Sequence, residues 1–97
     1  MLPVRFLPPA EKYLKKLNDK PLKKLYQDAI KEIQTNPDVG QQKIGDLAGI
    51  YGYDIRYQKT SYEIAYYLTE NDQGEVVVVI MAGTRENFWD AVKSYMN

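Results

Sequence analysis

Two carboxylates and two guanidinium groups stand where they could act together on an anion. Asp54 and Arg56 lie in Tyr53-Asp-Ile-Arg-Tyr57, Glu63 in Tyr62-Glu-Ile-Ala-Tyr66, and Arg85 in Gly83-Thr-Arg-Glu-Asn-Phe-Trp89. The first two segments alternate polar and apolar residues, which predicts strands. Tyr53, Ile55 and Tyr57 then point one way, with Asp54, Arg56 and Gln58 pointing the other. In the neighbouring strand Tyr62, Ile64, Tyr66 and Leu68 form the apolar set, leaving Glu63, Ala65 and Tyr67 opposite. Asp54, Arg56 and Glu63 are therefore expected on the solvent-facing side of one sheet, where Arg85 joins them from the end of the next strand. Two cations, two carboxylates and the Tyr67 phenol would line one concave surface. Cations there could stabilise developing negative charge while a carboxylate takes up a proton. A carboxylate beside two arginines is expected to have a lowered pKa and to be a weak base. The plainer alternative is a cross-strand ion pair, worth a few tenths of a kcal/mol.

The elements that must position these residues follow from periodicity and from chain breakers. Val4 and Phe6 flank Arg5 in a short first strand, stopped by Pro8-Pro9, and Pro9 suits the first turn of a helix. Ala10, Tyr13, Leu14 and Leu17 then recur at helical spacing. After the break at Asn18-Asp-Lys-Pro21, Asp19 is placed to cap a second helix running to about Gln34, with Leu22, Leu25, Tyr26, Ala29, Ile30 and Ile33 on its apolar face. Asn36-Pro37 ends that helix. Residues 38 to 52, with four glycines, are expected to be loop. Strands are predicted at roughly 52–59, 61–70 and 75–82, joined by turns at Lys59-Thr-Ser61 and Asn71-Asp-Gln-Gly74. A helix from Glu86 to Met96, with Thr84 as the expected N-cap, closes the chain. The order βααβββα predicts an α+β domain spanning 1–97: an antiparallel sheet packed against an N-terminal helical hairpin and a C-terminal helix, with the helices mainly on one face.

Composition narrows the chemistry further. The 97 residues contain neither Cys nor His, which removes disulfides, thiolate metal sites and the commonest general base. No cofactor is called for, and no metal site is expected without a cluster of carboxylates. The longest apolar run, Val76 to Ala82, is far shorter than the ~20 residues of a membrane span, and no cleavable leader is discernible. Together these features suit the cytoplasm. Formal net charge is zero, but residues 1–45 carry nine Lys/Arg against five acids while residues 46–97 carry the opposite excess. Such polarity leaves a basic face available to phosphates, although lysines that merely solvate two helices would look the same.

The segments quoted above, preceded by two basic helices, resemble the bacterial RelE/ParE toxin superfamily from Val4 to Tyr95. That resemblance implies the toxin component of a type II toxin–antitoxin system, with a cognate antitoxin as partner. The family's endonucleases cut messenger RNA on the ribosome and carry basic side chains along the strand matching Tyr53 to Tyr57. Arg56 fits such a position, whereas Asp54 stands where a lysine is common. Glu63 stands where an arginine often follows the tyrosine of the next strand, and Arg85 matches the arginine after the last. The family's C-terminal catalytic Tyr or His has no certain counterpart, since Phe88 and Trp89 could stack on a base but cannot exchange protons. The resemblance thus implies a metal-independent endoribonuclease in which Arg56, Arg85, Glu63 and Asp54 carry catalysis and Phe88, Trp89, Tyr67 and Lys59 contact RNA. Two other readings stay open: a ParE-like inhibitor that poisons DNA gyrase by binding, and an interaction module without toxicity.

Overall fold

A computed structural model describes all 97 residues. Strand β1 (Val4–Phe6) leads into helices α1 (Pro8–Lys16) and α2 (Lys20–Thr35). A two-residue strand β2 (Gln41–Gln42) and a 3-10 turn (Gly45–Leu47) follow. Three longer strands, β3 (Tyr51–Tyr57), β4 (Thr60–Asn71) and β5 (Gly74–Thr84), then precede helix α3 (Phe88–Met96). The sheet has the order β1-β5-β4-β3-β2 and is antiparallel except at one edge, where β1 runs parallel to β5. A parallel neighbour needs a crossover, and the α1–α2 hairpin with the three following strands provides it. No helix is long and apolar enough to cross a membrane.

Asp19 caps α2 as its type and position predict, its Oδ1 accepting from the Leu22 amide at 3.1 Å. The apolar stripes of the hairpin bury Ala10, Leu22, Tyr26, Ala29, Ile30 and Ile33 against Ile55, Ile64, Tyr66, Val77, Val79 and Ala82 of the sheet. The opposite face is not bare. There Phe88 and Val92 of α3 close a second core over Ile50, Ala65 and Ile80, so the helices cover both faces rather than mainly one. The two cores explain why β5 is buried continuously from Val76 to Ile80. A bulge serves them both: Ala65 pairs with Met81 and Tyr66 with Val79, which leaves Ile80 unopposed. The inserted residue reverses the alternation, so that Val77, Val79 and Ala82 all face the hairpin.

Three boundaries differ from expectation. The β3–β4 turn is Gln58-Lys59, with φ of 48° and 66°, and Thr60 and Ser61 already belong to β4. Two consecutive left-handed residues are what a two-residue hairpin requires, here without the glycine or asparagine that usually signals it. Helix α3 starts at Phe88 behind Asn87 (φ 56°), while Thr84 remains in β5. Part of the expected loop is β2, whose Gln41 and Gln42 pair with Gly52 and Tyr51.

Tyr66 holds this small strand in place. Its ring stacks on Tyr51 at 4.9 Å, its hydroxyl donates to the Pro37 carbonyl at 2.7 Å and it accepts from the Gly40 amide at 3.0 Å. A side chain at Gly40 would collide with that hydroxyl, since its Cβ would lie at 2.6 Å. Tyr66→Phe is expected to cost ~1–3 kcal/mol, because it leaves a buried donor and acceptor unpaired. The check is a urea titration, in which the midpoint should fall at unchanged slope. An unaltered midpoint would show that the tether does not hold β2.

Candidate active site

The register of β3 and β4 sets Asp54 directly opposite Glu63, and Arg56 opposite Ser61. Gly83 of β5 lies on the other side of Glu63. Beyond Thr84 the chain is fastened to β4 by the Arg85 amide, which donates to the Ser61 carbonyl at 3.0 Å. That bond aims the Arg85 side chain back across the sheet. Its Nε lies 3.6 Å from Glu63 Oε2, in an ion pair whose arginine is two-thirds exposed and whose glutamate is only 2% exposed. Asp54, Glu63 and Arg85 thus come together as the alternation indicates. Arg56 stands exposed one side-chain row away, beside the groove between α2 and β3.

Burial changes what Glu63 can do. Instead of facing solvent, it is the one charged residue buried in the chain, and its Oε1 has no hydrogen-bond donor. Its pKa is pushed up to about 7: desolvation dominates, the Asp54 carboxyl adds to the rise, and Arg85 and Lys43 only partly offset it. The lowering expected from neighbouring arginines is therefore reversed. Desolvation penalises the anion more than the single Arg85 ion pair can recover. A protonated Glu63 can donate to Asp54, which would give the orphan oxygen a partner.

The residues expected to contact substrate divide. Lys59, Arg85, Thr60, Ser61, Thr84 and Glu86 line an open cleft of about 400 Å³ without an apolar residue. Trp89 is half-buried, its ring edge-on to Phe88 at 5.0 Å. Phe88 itself is a core residue, only 4% exposed, and cannot stack on a base. Tyr67 lies two rows beyond Glu63 on the same face of β4, against a cavity lined by Leu47, Ile50 and Met96 near the end of α3. It is roughly 13 Å along the strand from Glu63, too far to share one phosphate with it.

Lys43 was not among the candidates. It sits just after β2, where its amide donates to the Ile50 carbonyl at 2.8 Å, and its ammonium lies 4.1 Å from the centre of the Trp89 ring. Only the pairing of two polar glutamines with β3 carries it into the site. The available signal was its place nine residues before the predicted strand, too little to fix a loop's path.

A family model described as the ParE-like toxin of type II bacterial toxin–antitoxin systems matches residues 4–93. No curated protein matches the sequence. Among solved structures, the chain is similar to one in the RelBE2 toxin–antitoxin complex of Mycobacterium tuberculosis, with 26% identity over 87% of this chain and 98% of that one and a TM-score of 0.64. It is similar in fold to a chain of the intact RelBE toxin–antitoxin complex of E. coli, at 22% identity over 86% and 95% of the two chains and a TM-score of 0.65. The YoeB/ParE toxin of Agrobacterium tumefaciens has 14% identity over 87% and 99% of the two chains, with a TM-score of 0.71.

Proposed function

From the premise that this chain belongs to the ParE-like toxin family of type II bacterial toxin–antitoxin systems, we propose that it is a metal-independent endoribonuclease that cuts messenger RNA on the ribosome. The observation that carries this reading is the buried Glu63 held between Asp54 and Arg85. Cleavage by the ribose 2′-hydroxyl needs a base for its proton and cations for the crowded phosphate. Arg85, two-thirds exposed beside Glu63, and Arg56 meet the phosphate. The Asp54–Glu63 pair takes up the proton. A carboxyl whose pKa stands near 7 suits that task better than an ordinary glutamate, because a general base works best when its pKa lies near the working pH. With neither His nor Cys in the chain, the ribosome supplies much of the catalysis by orienting the substrate.

The partner that silences the site is a cognate antitoxin. The lysine-rich hairpin presents Leu25 at its surface, and β1 before it exposes Phe6; an acidic amphipathic segment would complement them. Expression of the chain alone should arrest growth, and co-expression with the antitoxin should relieve it.

A second reading rests on Glu63. This carboxylate stands where the family's nucleases often carry arginine, which favours a gyrase poison that needs no catalytic set. Translating ribosomes separate the two. The nuclease reading expects cuts in messenger RNA at the decoding site, with naked RNA cut poorly. Intact messenger RNA together with trapped, cleaved gyrase–DNA complexes would reverse the assignment.

A further inference from the structure

Trp89 and Lys43 lie beside the carboxyl pair in an arrangement that the cleavage chemistry does not use. Gly52 pairs with Ala65 and, two residues along, Asp54 pairs with Glu63, so Gly52 is one side-chain row from the acidic pair on the same face. The indole fills the space above Gly52. A Cβ at that position would come within 2.7 Å of the ring's Cζ2 and 3.1 Å of the Lys43 Cε, so the glycine is what lets indole and lysine stem approach the sheet. The Phe88 ring also packs on the indole, nearly perpendicular to it at 85°. Lys43 reaches the indole with no carboxylate partner of its own, since the chain's ion pairs are Lys24–Asp28, Arg85–Glu63 and Lys93–Asp46. The result is a fixed aromatic ring and an unpaired ammonium, both half-buried rather than closed off.

We propose that Trp89 and Lys43 form a nucleotide subsite flanking the cleaved bond, where a base of single-stranded RNA stacks on the indole and Lys43 leaves the ring to meet that nucleotide's phosphate. The distance suits this role. One row along an antiparallel pair is roughly 7 Å, about the reach of one nucleotide in an extended strand. Stacking on an aromatic ring tolerates any base, and a single lysine adds charge without reading sequence. The subsite therefore positions RNA of any sequence and leaves codon choice to the ribosome. In the free protein the ammonium rests on the ring that the base will occupy, and cation and base exchange places on binding.

This inference rests on the RNA-cleavage reading, and the experiment tells the two apart. Trp89 is the only tryptophan, so the protein gives one indole N–H resonance and one source of tryptophan fluorescence. Titration with a short oligoribonucleotide, protected from cleavage by 2′-O-methyl groups, should shift that resonance and quench the fluorescence saturably at low salt. Lys43→Met keeps the stem against Gly52 but removes the charge; it should weaken binding about 10-fold at low salt and lower the salt slope by about one. Lys43→Arg should retain most of the affinity. A purely structural lysine would leave affinity and salt slope unchanged in the methionine variant, which overturns the proposal. So does an indole signal that responds only to antitoxin. Messenger-RNA cutting on ribosomes with an unmoved indole would refute the subsite and leave the nuclease standing. An indole that responds to RNA in a protein that never cuts would do the reverse.

Discussion

Arg85→Ala is expected to lower messenger-RNA cleavage on translating ribosomes by ~10²-fold or more, the scale of losing one preorganised electrostatic donor. The side chain is tied at its backbone to Ser61 and free at its tip, so it can turn from Glu63 to an incoming phosphate without moving the fold. Lysine should restore only part of the rate, since an ammonium cannot make the paired contacts of a guanidinium. Arg56→Ala should act in the same direction with a comparable loss. Both variants should remain folded and still bind antitoxin, because each removes an exposed side chain. Rapid single-turnover cleavage by the Arg56/Arg85 double alanine variant would remove the active surface from this part of the sheet. The lysine-rich hairpin would then become the place to look.

Glu63→Gln should move activity and stability in opposite directions. If the pair is the base, cleavage should fall ~10²- to 10⁴-fold, since the amide cannot accept the 2′-hydroxyl proton. Near-normal activity would mean that Glu63 only orients Arg85. Stability follows from the same burial. The fold holds the Glu63 pKa near 7 against 4.5 for an unperturbed glutamate, so between those values the native state keeps a proton that the unfolded chain has released. Native stability is therefore expected to be fully present below about pH 4.5, to decline as the pH rises to about 7, and to level off above. The decline from this group is roughly 3–4 kcal/mol at most. The glutamine variant should lose most of that slope and be the more stable protein at pH 8. Urea unfolding at pH 5 and pH 8 measures both. Parallel stability curves for wild type and variant would show that the protein does not hold Glu63 protonated. A site that destabilises its own fold in the state it needs for catalysis is a familiar compromise between function and stability.

Much of this architecture was legible because its causes are local. The spacing of Ala10, Tyr13 and Leu14, and of Leu22, Tyr26, Ala29, Ile30 and Ile33, reports a helix face at any fixed distance from the rest of the chain. Asp19 reports its own cap, and Asn36-Pro37 its own stop. The alternation through Tyr53 to Tyr57 and Tyr62 to Leu68 sorted Asp54, Arg56 and Glu63 onto one face before any partner strand was known. The turns were less legible. Gln58-Lys59 adopts left-handed backbone because two well-paired strands demand it, and neither residue announces that conformation by its type.

By itself, then, the sequence determined the order of elements, the two faces of β3 and β4, and the presence of Arg85 at the strand exit, since each depends on residues within a few positions of one another. The tertiary structure alone decided three further matters. It placed α3 on the face opposite the hairpin, and that cover buried Phe88 and removed it from any stacking role. It folded Gln41-Gln42 onto β3, which delivered Lys43 to Trp89 across 46 residues of chain. It also buried Glu63, raising a pKa that the Arg85 guanidinium alone would have lowered. Packing, loop closure and desolvation are all set by residues distant in sequence, and a pattern of nearest neighbours carries no record of them.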